Sequence, residues 1–129
     1  MNPNISRVQF KGLEGEGTVT HERWEHYHSG VTDEGLRVSA HHPLYGEVGR
    51  MELDPMAEDG QPHEIKDVAV ELRRHGIATA MYRHAEQAGL RPVHSPNRTD
   101  RGDAWARSVG GVIPPRSEKR YRGDQGYAG

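Results

Sequence analysis

A turn of four residues in the middle of the sequence carries side chains suited to binding an anion. The stretch Arg73-Arg74-His75-Gly76 follows an extended apolar run and precedes a segment with helical periodicity, so it stands where a strand becomes a helix. The start of a helix exposes main-chain N–H groups that lack helical partners and carries the positive end of the helix dipole. The turn therefore predicts a site for a phosphate group.

The residues around this turn add to the predicted site. Gly76 and Ala78 are small enough to let a bulky pyrophosphate reach the main chain, and Thr79 can offer a hydroxyl. Residues 73–75 can add charge-assisted hydrogen bonds from outside. The turn is neither a Walker A loop nor the three-glycine dinucleotide fingerprint. A plainer interpretation also stands, in which Gly76 only turns the chain and the arginines are a solvated helix start.

The elements on either side of the turn predict a β-α-β unit. Ile65, Val68 and Val70 predict a strand, since β-branched residues suit a pleated, partly buried surface. Apolar residues recur at helical spacing from position 77 to position 85, and Gly89 is a natural helix end. Residues 91–95 predict a second strand beside the first, reached by a right-handed crossover. The sequence thus predicts an α/β fold with a mixed sheet flanked by helices.

Further elements complete the predicted domain. Residues 36–54 predict an antiparallel hairpin in the same sheet, and a helix near residues 103–109 follows, capped by Asp100 or Asp103 and stopped by Gly110-Gly111. The earlier stretch "HERWEHYH" fits either a helix or a strand. We expect a single domain over residues 1–111 and a polar, partly disordered tail over residues 112–129.

Composition narrows the function. The 17 Lys and Arg against 19 Asp and Glu give a formal charge of -2, which argues against nucleic acid or an anionic membrane as a partner. The absence of cysteine excludes disulfides, zinc-thiolate sites and a cysteine acyl-enzyme. The sequence has no leader-like start and no apolar run long enough to cross a membrane, so we expect a cytoplasmic protein.

The number of histidines suggests a metal site, but their spacing in the sequence does not support one. There are 9 histidines, and the densest stretch begins His21-Glu22 with Glu25 where a His-Glu-x-x-His pattern would need its second histidine. His26 and His28 would be two ligands without a third. The sequence therefore predicts no metal centre.

The strand–turn–helix segment resembles a known family. The pattern Arg73-x-x-Gly76-x-Ala78 is similar to the acyl-CoA signature of the GNAT superfamily of N-acetyltransferases. Val68, Glu71 and Ile77 also stand where that family usually has Val, Glu and Ile. The resemblance covers roughly residues 35 to 111.

What the resemblance implies is a sheet whose fourth and fifth strands splay apart around the pantetheine arm of acetyl-CoA or another acyl-CoA. Val68 and Val70 would offer main-chain hydrogen bonds to pantetheine. Residues 73–79, with Ile77 among them, would wrap the pyrophosphate, and Asn97 would touch the cofactor. In the family, an amine of a small molecule or a protein attacks the thioester directly.

The resemblance is weaker for the catalytic residues. Glu64 is near the position of the family's general base, and Ser95 or water is left as the acid, because Ala106 stands where the family often has a tyrosine. The N-terminal part, where the family usually builds its acceptor pocket, is short. The alternative is therefore a GNAT-like protein without catalysis that serves in binding or interaction. The sequence does not identify the amine acceptor, and it does not distinguish a monomer from a homodimer.

Overall fold

The computed structural model of the protein describes residues 4–117, which form six strands and two helices in one α/β arrangement. This confirms the predicted fold class at the level of α/β. In chain order the elements are β1 (Ile5–Val8), β2 (Gly17–His28), β3 (Val31–His42), β4 (Gly46–Leu53), β5 (His63–Val70), α1 (Ile77–Gln87), β6 (Pro92–Val93) and α2 (Asp100–Val109).

The chain divides into two compact units, Met1–Pro92 and Val93–Gly129. The first unit contains β1 to β5 and α1, the second contains α2, and β6 spans the division. Of the tail predicted over residues 112–129, positions 118–129 lie outside the described residues.

The strands form one sheet in the order in which they occur in the chain. Each neighbouring pair from β1 to β5 is antiparallel. The ambiguous stretch "HERWEHYH" is the last two-thirds of β2, where it pairs along its length with the first two-thirds of β3. The predicted hairpin over residues 36–54 is confirmed as β3 and β4, although β3 already begins at Val31.

The two faces of this sheet differ in character because side chains alternate along each strand. Val19, Val38 and Met51 lie on one face and are fully buried. The opposite face carries polar residues such as Arg37 and Glu52, whose side chains form an ion pair of 2.7 Å. One-sided burial of this kind is typical of an antiparallel sheet.

Helix α1 packs on the apolar face with the periodicity expected from the sequence. Ile77, Met81 and Ala85 are buried, and the chain leaves the helix at Gly89, which adopts a left-handed conformation with φ of 81°. Gly49 on β4 lies beneath the first turn, where a Cβ atom would stand 2.6 Å from Cγ2 of Ile77. The missing side chain of Gly49 therefore lets the start of α1 approach the sheet.

The predicted order of strand, helix and strand is present, but the second strand is short. β6 neighbours β5 and contains two residues of the predicted stretch 91–95. The N–H of His63 donates to the carbonyl oxygen of Arg91 at 2.9 Å, so β6 begins beside the beginning of β5.

The cap of α2 differs from the prediction of Asp100 or Asp103. Thr99 is the N-cap residue, and its hydroxyl accepts a hydrogen bond from the N–H of Gly102 at 3.0 Å. The carboxylate of Asp103 instead binds Arg98 and Arg107, each at 3.0 Å. A hydroxyl at the earlier position satisfies the helix start and leaves the carboxylate for these ion pairs.

Candidate anion-binding site at the start of helix α1

The start of α1 is open to a ligand. Gly76 is the N-cap residue in a left-handed conformation, with φ of 70° and ψ of 20°, and no side chain caps the helix. Its carbonyl oxygen accepts the first helical hydrogen bond from Ala80 at 2.9 Å. A Cβ atom at Gly76 would meet nothing within 4 Å, and the first turn contains no acidic residue. The space and the electrostatics both favour an anion here.

Two cationic side chains precede this helix start. Arg73 and Arg74 are exposed, and neither forms an ion pair with any residue in the range 4–117. Arg74 has φ of 68°, a left-handed conformation that L-residues other than glycine rarely adopt. The turn thus contains a strained residue, at the position predicted to bind phosphate, whose guanidinium has no ion-pair partner within residues 4–117.

His75 holds the turn in place through the loop between β1 and β2. Its ring Nδ1 lies 2.6 Å from the carbonyl oxygen of Lys11, and its own carbonyl oxygen accepts a hydrogen bond from the N–H of Lys11 at 3.0 Å. These two contacts bring Lys11, an exposed cation, to the turn. No sequence pattern indicates this role of Lys11, because Lys11 and His75 are 64 positions apart.

The other predicted cofactor residues on α1 differ in their surroundings. Ile77 is buried in the core at 1% exposure, so its side chain supports the helix start and only its main chain could meet a ligand. Ala78 and Thr79 are half-buried.

Val68 and Val70 direct their main-chain groups away from β4. The N–H of Glu71 donates to the carbonyl oxygen of Val48 on β4 at 2.9 Å, and Val70 pairs with Gly49. Successive residues of an antiparallel strand alternate between hydrogen-bonded and non-hydrogen-bonded pairs. The pairs formed by Val68 and Val70 are therefore non-hydrogen-bonded, and their N–H and C=O groups point to the other edge of β5.

This edge of β5 extends past its short neighbour. β6 has two residues and begins beside His63, whereas Val68 lies five positions further along β5. Five residues of strand span about 16 Å, which a two-residue strand cannot cover. Val68 and Val70 therefore do not pair with β6. The part of β5 that contains them is followed directly by the turn at residues 73–76.

A β-bulge interrupts β5 just before these residues. Leu53 pairs with Ile65, and Glu52 pairs with Asp67, so Lys66 is the extra residue. A bulge bends its strand and increases the local twist, and bulges are frequent beside functional sites. In β5 the bend separates the part that pairs with β6 from the part that approaches α1.

Comparison of the sequence with protein-family models and with curated proteins gave no match, and comparison of the fold with solved structures gave none.

Glu64, the predicted base, lies at the start of β5. Its side chain is 37% exposed and its carboxylate stands 3.7 Å from the ammonium group of Lys66. Its carbonyl oxygen accepts a hydrogen bond from the N–H of Asp54 at 2.9 Å, which fastens the loop between β4 and β5. The carboxylate is thus accessible and only loosely paired.

Ser95 and Asn97 belong to the second unit and form a local turn. The hydroxyl of Ser95 accepts a hydrogen bond from the N–H of Asn97 at 3.0 Å, and its carbonyl oxygen accepts one from Arg98 at 2.7 Å. The side chain of Asn97 is exposed. Ser95 therefore already has a structural contact in this unit.

Ala106, which stands where the resemblance would put a tyrosine, is fully buried in α2. Its neighbour Trp105 packs edge-on against His94, with ring centroids 5.3 Å apart. Burial lowers the pKa of His94, whose Nε2 lies 2.9 Å from the carbonyl oxygen of Gly110. This part of the unit is a packed core and offers no exposed acid at position 106.

Two classes of site are not found in the described part of the chain. Within residues 4–117 no three His, Asp or Glu side chains come together in a way that could hold a metal ion. No helix in the same range is long and apolar enough to cross a membrane.

Sequence reasoning missed a chain of three polar side chains in the first unit. Ser6 on β1, His84 on α1 and His21 on β2 are joined by two short contacts of 2.6 and 2.8 Å. They are separated by 78 and 63 positions in the sequence, so no spacing pattern could have found them.

Proposed function

We propose that the protein binds an acyl-CoA, most simply acetyl-CoA, along the outer edge of β5 and at the start of α1, in a GNAT-like arrangement. The observation that carries the proposal is the direction of the main-chain groups of Val68 and Val70. They face an edge that β6 does not cover, and that edge ends at the uncapped helix start beside Arg73. An extended amide-containing arm can hydrogen-bond along such an edge as an added strand would.

The helix start supplies the second half of the proposed site. A pyrophosphate over Gly76 would accept hydrogen bonds from main-chain N–H groups, and Arg73 and Arg74 are exposed beside it. The order of β5, α1 and β6 along the chain agrees with the strand, helix and strand that the family resemblance implies.

The proposed reaction is transfer of the acyl group to an amine by direct attack on the thioester. Glu64 would take a proton from the amine, directly or through water, and its accessible carboxylate is compatible with that role. The amine acceptor would bind to the N-terminal part of the chain, where the family usually builds its acceptor pocket.

A second candidate is a CoA-binding protein without catalysis. The specific observation in its favour is Ala106, which is buried and has no proton to donate to a leaving thiolate. In this case the site at α1 would bind CoA, and no acyl transfer would occur.

Thermal melts with CoA and acetyl-CoA test binding. A ligand that binds only the folded state stabilises it by about 2.7 kcal/mol at 100 times its Kd, which shifts the melt by several degrees. Gly76→Glu places a carboxylate where the pyrophosphate would meet the main chain, so it should abolish the shift.

Gly60→Glu is the matched control for this substitution. Gly60 has φ of 83° and, like Gly76, has nothing within 4 Å of an added Cβ atom, but it lies in the loop between β4 and β5. Gly60→Glu should therefore destabilise the backbone by a similar amount and retain the increase in melting temperature on addition of CoA. The absence of both heat in calorimetry and a melt shift at millimolar CoA would refute the proposal.

Acyl transfer separates the two candidates. If Glu64 is the base, Glu64→Gln should slow transfer to a good amine acceptor by about 10²-fold or more and leave CoA binding unchanged. A wild-type protein that binds CoA but acylates no member of a broad amine panel would favour the non-catalytic candidate.

A further inference from the structure

The contacts of Ser6, His84 and His21 form a chain of the kind that activates a nucleophile. The hydroxyl oxygen of Ser6 lies 2.6 Å from Nδ1 of His84, and Nε2 of His84 lies 2.8 Å from Nδ1 of His21. A nucleophile within hydrogen-bond reach of a base, with the base oriented by a third group, is the general signature of covalent catalysis.

Two sets of tautomers satisfy both contacts with all three groups neutral, and the proposed base role of His84 belongs to the set in which Ser6 is the donor. In that set the hydroxyl of Ser6 donates to Nδ1 of His84, and the N–H at Nε2 of His84 donates to Nδ1 of His21. In this arrangement Nδ1 of His84 carries a lone pair directed at the hydroxyl proton of Ser6. That is the geometry a general base needs.

The surroundings keep both imidazoles neutral. Burial lowers the pKa of His84 to about 4, with a further contribution from the neighbouring charge of His21. Burial also lowers the pKa of His21. The centroids of the two imidazole rings, one on β2 and one on α1, lie 5.0 Å apart. The hydroxyl of Ser6 on β1 is the hydrogen-bond partner of His84 on its other side.

A cleft opens beside this chain. Its volume is about 550 Å³, and His21 is the member of the chain that lines it, together with Leu36 and Leu90 and the charged residues Glu22, Arg23 and Asp59. Asn4, which also lines the cleft, is two residues before Ser6 and precedes β1, and Ser6 is itself partly exposed. The mixture of leucine, imidazole, amide and charged side chains suits a small molecule that combines an apolar group with polar groups such as a carbonyl.

We propose that Ser6 is the nucleophile of a second site, which takes small carboxylic esters. His84 is its general base and His21 is a positioning residue that holds the base. None of these three residues belongs to the proposed acyl-CoA site, although His84 lies on α1, whose start forms part of that site.

The reaction balances without any further reactant except water. The Ser6 oxygen forms a bond to the ester carbonyl carbon, and its proton passes to Nδ1 of His84. The bond between the carbonyl carbon and the alkoxy oxygen then breaks, and His84 returns the proton to that oxygen, so the alcohol leaves. Water then attacks the acyl-serine in the same way, which releases a carboxylic acid and restores Ser6.

Labelling with a fluorophosphonate tests the nucleophile directly. The Ser6 oxygen would bond to phosphorus and fluoride would leave, so intact mass should show one adduct and peptide mapping should locate it at Ser6. Ser6→Ala should give no adduct. Ser39, a half-buried serine on β3 whose side chain faces the opposite side of the sheet, is an internal control and should stay unlabelled.

Substitution of the histidines tests their roles. His84→Gln should slow labelling by about 10²-fold or more, in protein shown to be folded by circular dichroism. His21→Phe should slow it less, and His21→Asn should recover much of the rate, because an amide oxygen can still accept from Nε2 of His84. Rescue by asparagine is not expected if His21 only fills space.

The pH profile of the wild-type protein provides a test that needs no variant. The base is active when neutral, so the labelling rate should hold from pH 7 to about 5 and decline as the pH approaches the pKa of His84 near 4. The proposal is overturned if the folded protein gives no adduct, if the adduct lies on another residue, or if folded His84→Gln reacts as fast as wild type. CoA-binding results do not affect any of these outcomes.

Discussion

Gly49 lies directly beneath Ile77, and an added Cβ atom at Gly49 would stand 2.6 Å from Cγ2 of that residue. Real Cβ contacts are never this short, and Cγ2 is attached to a β-branched carbon whose rotation is restricted. The same Cβ atom would lie 3.1 Å from Cε of Met81. The approach of α1 to β4 therefore depends on the absence of a side chain at position 49.

Gly49→Ala should destabilise the protein by about 1 to 3 kcal/mol, because the helix must shift or its core side chains must leave their preferred rotamers. Urea denaturation at pH 7 measures the change. Ala69→Val is the control, since it adds bulk to an exposed position of β5 and should change stability by less than about 0.5 kcal/mol. Equal effects of the two substitutions would contradict the packing argument.

Arg74→Gly should have opposite consequences for stability and for ligand binding. The left-handed conformation of Arg74 costs an L-residue about 1 to 2 kcal/mol, whereas glycine adopts it freely and loses about 0.5 to 1 kcal/mol in chain entropy. The free protein should therefore be as stable as wild type or up to about 1 kcal/mol more stable.

The same substitution should weaken CoA binding about tenfold or more, since a charge-assisted contact contributes about 1.5 to 3 kcal/mol. Arg83→Ala is the control, because Arg83 pairs with Glu86 on α1 and lies two turns from the helix start. Calorimetry in low salt compares the affinities. Unchanged CoA affinity in Arg74→Gly would remove Arg74 from the proposed site.

His75→Ala should release the loop between β1 and β2 from the turn. The side-chain contact to the Lys11 carbonyl is lost, and the main-chain hydrogen bond from Lys11 to residue 75 loses its support. We expect faster hydrogen exchange of the Lys11 amide and a loss of about 0.5 to 1.5 kcal/mol in stability. Unchanged exchange at Lys11 would mean that the loop is held by other contacts.

The sequence predicted local features of the fold well and long-range contacts poorly. The strand, turn and helix from Ile65 to Gly89 follow from β-branched residues, a left-handed glycine and apolar periodicity, all of which act over a few positions. His75 was expected to face a phosphate, yet its ring contacts Lys11 at the far end of the sequence. The contacts among Ser6, His84 and His21 could not be predicted for the same reason.

The long β2 and β3 strands were partly missed because their outer ends, residues 25–28 and 31–34, are exposed on both faces. Glu25 pairs with Glu34 and Tyr27 with Thr32, and all four are exposed. Without a buried face, no alternation of apolar and polar residues marks the strand. Pairing with the neighbouring strand, which a single sequence does not reveal, determines the structure there.

His84 should make the stability of the protein depend on pH between about 4 and 6.5. Its pKa is lowered from 6.5 to about 4 in the folded protein, so between these values the unfolded chain binds a proton that the folded protein does not. Stability must therefore rise with pH across this window and fall as the pH is lowered through it. The slope contributed by this residue is at most about 1.4 kcal/mol per pH unit.

Urea denaturation at pH 7 and pH 5 measures this dependence, and His84→Gln isolates it. The variant should be less stable than wild type at pH 7, because a buried contact is replaced, but it should lose less stability on going to pH 5. His26→Gln is the control, since His26 is exposed on β2 and should leave the difference between the two pH values unchanged. An equal loss of stability between pH 7 and pH 5 in wild type and His84→Gln would show that His84 is not the buried neutral imidazole described above. The lowered pKa of His21 acts in the same direction. The free energy of unfolding of the double variant His84→Gln/His21→Asn should therefore depend on pH even less.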